Sequence, residues 1–517
     1  MYKNKVSKYN NKLNQIGGAC PFKIGNIVIR KDNNIFGIIV DIIFSKTTPD
    51  RCLKLNIYLE NGEKVVWNST DVEKIDTENL DQLAIILLET NILSTMSLPD
   101  IIRLYRTGHP EVQNAIEEYK LYDFYDQPLL QVDVSLREFS KMFPFCKGLS
   151  ISERNDIINE DFRFLRGIKR LDITNCGQIT NNAFVHLRGI HTLRIVRCGQ
   201  ITDDAFVHLR GIHTLDMKKC SQITNNAFVH LRGIHTLNMT DCTQMTNVAF
   251  VHLRGIHTLD ISYCRQITDV AIVHLHGIHT LNMSHCRQIT DVAIVYLRGI
   301  HTLNMSYCNQ ITDIAFVNLR GINTLNMSGC TQITNIALVN LCGIHTLTIW
   351  GCNQITDDAI VNLRGIHTLD AWSCNLTDAA FVHFHGIHTL DMAHCAEITD
   401  NAFVHLRGIH TLDITDCTQI TNEAFINLQG IHTLRMFRCY QITDDAIVHL
   451  RGIHTLYMRN CRQITDNALV HLRGIHTLDI VGCDKITNAG FVYLRGIKIL
   501  KINATNRAYA LSIGLPV

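Results

Sequence analysis

From about residue 146 the apolar positions fall into one frame that renews itself every 22 residues. In the unit running from Gly211 to Arg232, Leu215 and Met217 alternate with polar residues, the period of a short strand with one buried face. Ile223, Ala227, Phe228 and Leu231 then recur at helical spacing, so a short helix carries the chain back. Thr224, ahead of Asn225, is placed to cap that helix, and Gly211, after Arg210, suits the exit of the preceding one. A cysteine follows each strand. Fifteen of them hold one register from Cys176 to Cys483, every interval being 22 except Cys374 to Cys395, which is 21. That unit lacks the residue Gln354 supplies in the one before, so a local perturbation is expected there. One unit has no core of its own and stacked neighbours make one. The pattern predicts about seventeen parallel strands roughly 4.8 Å apart, an arc on the order of 80 Å. A degenerate first coil (Leu149, Ile151, Ile157, Leu165) carries Arg154 at the cysteine position, and Ile497, Leu500 and Ile502 fit a last strand.

Ahead of the array the pattern changes twice. Between Gly25 and Ile75 five short alternating runs surround the hairpin signal Asn61-Gly62, and they resemble a small barrel of the Tudor kind with Trp67 in its core. From Thr77 to Leu121 the reading is helical, with Asp100 placed to cap a helix that holds Ile101, Ile102 and Leu104. The chain is therefore divided into a polar tail (1–19), a small β-barrel (20–76), a helical segment (77–145) and a solenoid (146–517).

The frame of Leu281, Met283, Cys286, Ile289, Thr290 and Asp291 resembles the cysteine-containing leucine-rich repeats of F-box/LRR proteins. Near-identical stretches such as His230 to Leu237 resemble the F-box/LRR-repeat proteins of giant DNA viruses. The resemblance implies an α/β fold: a leucine-rich-repeat solenoid with parallel strands on the concave face and short helices on the convex one. Because the unit is shorter than is usual in that subclass, those helices are expected to be brief or partly 3-10. The stretch Ile92 to Arg106 resembles the centre of an F-box, although its usual Leu-Pro opening is missing and Leu80 or Leu83 stands in. The resemblance assigns Ile92, Leu93, Met96, Leu98, Ile101, Ile102 and Leu104 to a face that docks on a Skp-type adaptor of a cullin ligase. The implied function is substrate receptor of a Skp-cullin-F-box ubiquitin ligase. The alternative is a binding scaffold with no ligase link.

Composition narrows the partners. Lys and Arg number 48 against 47 Asp and Glu, so no net field draws the chain to nucleic acid or acidic lipid. A hydrophobic content of 46% with seven prolines excludes a largely disordered chain. Nineteen cysteines without an export signal in Met1 to Cys20 read as reduced thiols, and the expected location is intracellular, cytoplasmic or nuclear, in a host cell.

No phosphate loop, zinc motif or nucleophile elbow occurs, so neither catalysis nor a cofactor or metal is expected. The cysteine column reads as small buried thiols that accept from backbone N–H groups, with Cys20 and Cys342 the reactive ones. Two histidine columns, one through His191, His213 and His235 and one through His186, His208 and His230, read as products of duplication; like charge below about pH 6 should destabilise them. Recognition is expected at the outward positions that vary between units. Arg435, Phe437, Arg438 and Tyr440 in one unit abut Tyr457, Arg459 and Arg462 in the next, and Trp350 and Trp372 share a column. This basic aromatic cluster predicts an acidic or phosphorylated protein segment as ligand, and outward side chains that can be truncated without harm to the fold.

Overall fold

The computed structural model describes residues 96–516 apart from 107–109, 120–121 and 130–132, together with five strand backbones nearer the N-terminus. Those five, Ile27–Arg30, Phe36–Phe44, Cys52–Leu59, Lys64–Asn68 and Val72–Lys74, form an antiparallel sheet. The last strand returns beside the first. The polar tail and residues 75–95, with Ile92 and Leu93, lie outside the described residues.

The chain divides into two compact units, residues 1–234 and 235–517. In the first, a parallel ladder begins at Asp123–Pro128, ahead of the sequence boundary at 146, and runs through Gly148–Ser150, Arg170–Asp172, Thr192–Arg194 and Thr214–Asp216. Gly148 fits because the Asp123 side chain crosses it: a Cβ there would lie 2.0 Å from Asp123 Oδ1. Before the ladder come helices Leu98–Tyr105 and Pro110–Glu118, and Leu136–Met142 follows its first strand. Tyr122, Phe124, Phe139 and Phe143 pack ring on ring under them and close this end of the array, which a repeat stack needs. Ser97, not Asp100, is the N-cap. Pro99 is tolerated only in the first turn, which puts the start at Leu98 and leaves Asp100 inside the helix, paired with Arg103 at 2.8 Å.

The second unit holds thirteen parallel strands from Thr236–Asn238 to Ile499–Lys501, paired residue for residue. In most strands the central Leu is buried and the flanking residues are half-exposed, as the alternation predicts. The form of a return segment follows the residue after the recurrent Ala, whose place Gly490 takes in the last one. Where it is Phe, as in Asp400–His405, the segment is 3-10; where it is Ile or Leu, as in Asp444–Ile447, it opens with one α-turn. A terminal helix, Ala504–Ser512, covers the last strand with Ala510.

Three regular contacts join one repeat to the next. Aspartate at the start of a return segment accepts twice from the threonine 21 residues on: Asp378 Oδ1 from Thr399 N at 2.8 Å and Oδ2 from its Oγ1 at 2.5 Å. The threonine therefore serves as a link between repeats as well as an N-cap. Each register cysteine with a described partner donates its thiol to a carbonyl of the previous repeat, as Cys286 does to Ile261 O at 3.1 Å, which reverses the acceptor role expected from sequence. The residue before each cysteine sits in the left-handed region whatever its type, from Asn175 to Gly482, as does Glu153 before Arg154, and its N–H reaches the next repeat, as Tyr263 N does to Ser284 O at 3.0 Å. That bond offsets a conformational cost of roughly 1–2 kcal/mol per residue.

The one-residue deletion leaves the ladder intact. Thr368 pairs with Thr389, Cys395 still donates to Ala371 O at 3.4 Å, and Leu376 takes the buried isoleucine place. Only the glutamine contact to a carbonyl of the previous repeat is lost, Asn375 reaching Asn353 O at 3.4 Å instead. The expected perturbation is confined to the loop.

Candidate binding surface

The outward positions of the second unit form columns, because strands in register place equivalent side chains side by side about 4.8 Å apart. The histidine before each strand threonine stacks on its neighbours. Rings from His235 to His301 and from His345 to His476 lie 4.5–4.6 Å apart and within 11–14° of parallel, broken at Asn323. Each Nδ1 sits 3.0–3.2 Å from the Oγ1 of the following threonine. Burial, with His410 and His454 on either side, disfavours protonation of His432. The second histidine column is a set of acceptors on the return side: Arg188 Nε points to His208 Nδ1 at 3.4 Å and Arg364 Nε to His383 Nδ1 at 3.3 Å, and Asn318 takes the same place for Arg298. No group of three or more ligating side chains among the described residues is arranged to hold a metal ion.

Beside the histidines runs a longer aromatic strip than the sequence pair Trp350 and Trp372 suggested. Tyr263, His285 and Tyr307, each just before a cysteine, stack at 4.2 and 4.4 Å. The strip continues edge-on from Tyr307 to Trp350 at 5.8 Å, to Trp372 at 5.0 Å and to His394 at 5.0 Å. It passes over Gly329, where a Cβ would meet the Tyr307 ring at 2.7 Å and where φ is +66°. Tyr263, His285, Tyr307 and His394 share one register position, a signal that the sequence carries and that the tryptophans alone did not convey.

The C-terminal cluster is brought together as expected, but three of its four arginines already face carboxylates. Arg459 Nε binds Asp479 Oδ2 at 2.7 Å, Arg438 binds Asp416 at 3.3 Å and Arg435 lies 4.0 Å from Asp413. The guanidinium groups also face rings: Arg435 over Tyr457 at 5.5 Å, Arg459 over Phe437 at 5.9 Å and Arg462 over Tyr440 at 5.9 Å. An anionic ligand would compete with these aspartates. The sequence view that every outward residue is dispensable is also corrected, since Asp479 is 1% exposed and would be left buried without its arginine.

The described members of the adaptor face, Met96, Leu98, Ile101, Ile102 and Leu104, are all at most 1% exposed. The last four form the inner side of the helix Leu98–Tyr105 and Met96 lies just before its N-cap, so the apolar stripe that resembled a docking face is occupied by the chain's own core.

The register thiols are buried, and burial pushes Cys176 up to about 11 and Cys198 and Cys308 up to about 12. Cys342, exposed on the return side, should therefore alkylate in the native protein, and the register thiols only on unfolding. Mass spectrometry of iodoacetamide-treated native protein checks this; labelling of several register cysteines at the Cys342 rate would contradict it. Cys20 lies outside the described residues.

Comparison with known proteins agrees with this geometry. Residues 140–257 and 374–476 match the BspA type leucine rich repeat region, in six copies. No curated protein matches the chain. Solved structures do: that of the TLR13–ssRNA13 complex matches with a TM-score of 0.55 at 16% identity, over 74% of this chain and 65% of that one. The Rad7 and Elc1 complex of yeast gives 0.41 at 15% identity, over 82% and 98%, and the Toll–Spatzle complex of Drosophila 0.45 at 14%, over 67% and 52%. The chain thus spans less than two thirds of the first of these proteins and about half of the third. No helix among the described residues is long and apolar enough to cross a membrane. The fold is a leucine-rich-repeat solenoid, and two stretches of it are similar to the BspA type leucine rich repeat region.

Proposed function

We propose that the chain is a protein-binding scaffold whose recognition surface is the outward strand face of residues 235–517. The observation that carries this reading is the unbroken run of half-exposed and exposed rings from Tyr263 to His394, continued after a gap by Phe437 and Tyr457, 6.3 Å apart. Aromatic side chains of this kind bury large area at small entropic cost, and they dominate protein interfaces. They stand on a rigid ladder whose core does not need them. Attachment to a Skp-type adaptor through residues 77–145, and with it a role as ligase substrate receptor, rests on sequence resemblance. A docked adaptor would need Leu98, Ile101 and Leu104 to leave their present core. A Tudor-like barrel at 20–76 is likewise proposed from its strand pattern.

The test is affinity capture with wild type and with a Phe437→Ala/Tyr457→Ala pair that spares Arg459. Partners of the wild type should be lost or weakened at least tenfold, equivalent to about 1.4 kcal/mol, while the melting temperature stays within a degree or two. Retention of every partner at full strength by this pair, and by Trp350→Ala/Trp372→Ala, would place recognition elsewhere. Skp and cullin peptides among the captured proteins would support the ligase reading, and their absence would oppose it.

A further inference from the structure

Along the middle outward column, charge is balanced almost everywhere by the chain itself. Arg194 lies 3.5 Å from Asp172 and 3.4 Å from Asp216, Asn282 donates to Asp260 at 2.9 Å, and Arg435 and Arg459 pair with Asp413 and Asp479. A recurrent arrangement places a guanidinium between an aspartate and an aromatic face: Arg194 with Asp172 and Tyr125 (5.8 Å), Arg435 with Asp413 and Tyr457, Arg459 with Asp479 and Phe437. At one stretch, around Asp370 and Asp391, the aspartates and the aromatics are present and no guanidinium of the described residues comes within ion-pair distance, the nearest pairing being Arg435 with Asp413 one strand further on. Asp370, Asp391 and Asp413 occupy adjacent strands in register, and Asp370 and Asp391 have no ion-pair partner among the described residues. Their Oδ1 atoms accept from the backbone N–H two residues on, Trp372 N at 3.2 Å and Ala393 N at 3.0 Å, and neither Oδ2 has a hydrogen-bond partner among the described residues. Trp350, Trp372 and His394 edge the same stretch.

Resting on the scaffold reading above, the geometry points to an arginine-bearing extended segment of a partner protein as the ligand of this stretch, with a guanidinium seated between the Asp370 and Asp391 carboxylates and the Trp350–Trp372 rings. Arginine fits better than lysine because its planar fork reaches two carboxylates and stacks on an indole at once. Burial, reinforced by the charges of Asp413 and Asp370 and only partly opposed by the Ala393 N–H and by Arg435, pushes Asp391 up to about 6. Half-exposed carboxylates in register on neighbouring strands gain from a shared counter-charge that the rest of the column supplies internally.

The experiment uses the full chain, with acetylated hexa-arginine amide as probe and hexa-lysine and hexa-glutamate for comparison, followed by tryptophan fluorescence, since two of the three tryptophans line the site. Hexa-arginine should bind tightest and perturb the emission. Asp370→Asn/Asp391→Asn should weaken it at least tenfold, whereas Asp358→Asn/Asp445→Asn, with the same charge change at exposed return-side positions, should alter it less than twofold. Asparagine is what the chain itself uses in this column at Asn282, Asn304 and Asn326, with the same backbone bond, so the variant keeps its fold; an unchanged melting curve verifies this. Equal weakening by both pairs means general charge attraction and overturns the site, as does no binding of hexa-arginine by the wild type. In either case the scaffold reading is judged separately, by the Phe437→Ala/Tyr457→Ala capture.

Discussion

Phe403→Ala should destabilise the second unit by about 3–5 kcal/mol, the range for deleting a fully buried ring whose surroundings cannot collapse. Phe403 has no solvent exposure, and its equivalents in the adjoining repeats, Phe381 and Phe425, are buried in the same column. The cavity would lie between two rings already fixed by their own repeats. Because each repeat touches only its neighbours, the loss should also broaden the urea transition as the stack separates at the weakened place. Phe403→Ile should cost less, since Ile294, Ile360 and Ile447 fill this slot elsewhere and go with an α-turn in place of the 3-10 start. Phe437→Ala, on the outward face, serves as the control and should shift stability little. Urea unfolding followed by circular dichroism reads all three, and equal midpoints for Phe403→Ala and wild type would refute the assignment of this ring to the core.

What the sequence made legible is what a single unit contains. Leu215 and Met217 declare the strand, Phe228 and Leu231 the return, and Gly211, at φ +82°, the turn between them. Partners one repeat away were harder to see. Thr399 follows the pattern of an N-cap, yet its closest partner is Asp378, 21 residues back. Arg459 reads as a free cation until Asp479 is found on the next strand. The left-handed residue before each cysteine has no sequence signature, because Arg197, Lys219, Tyr263 and Asp416 all adopt it and the compensating bond comes from backbone alone. The helix at Leu98–Tyr105 illustrates a further limit. Amphipathic spacing shows which side of a helix is apolar but is silent on whether the chain itself or a partner covers it.

Arg154 stands where the other coils have cysteine, and the structure gives the exchange a purpose. Cys176 donates to Ile151 O, 25 residues earlier; Arg154 Nη1 reaches the equivalent carbonyl, that of Leu129, at 3.3 Å. Its longer fork goes on to Val134 O at 3.0 Å and to both Asp156 oxygens at 2.6 and 2.7 Å, so one side chain holds the helical end-piece onto the first repeat. Arg154→Ala should cost about 2–4 kcal/mol, since it removes the donors of two buried carbonyl contacts together with a carboxylate's counter-charge. Arg154→Cys should recover part of this, because a thiol restores only the Leu129 contact. The ion pair also carries a pH signature. The hydrogen bond from Arg154 holds Asp156 below the usual carboxylate value of 3.8, so the stability it contributes is present above that value and is lost as pH falls through the lowered one. In the Ala and Cys variants that acid-dependent loss should disappear, narrowing the stability gap to wild type as pH falls below the ordinary carboxylate value. Guanidinium melts of the three proteins at pH 7 and at a series of lower pH values test both claims; a gap that stays constant down to the most acidic pH at which wild type still folds would show that the Asp156 contact contributes nothing to holding this end of the solenoid.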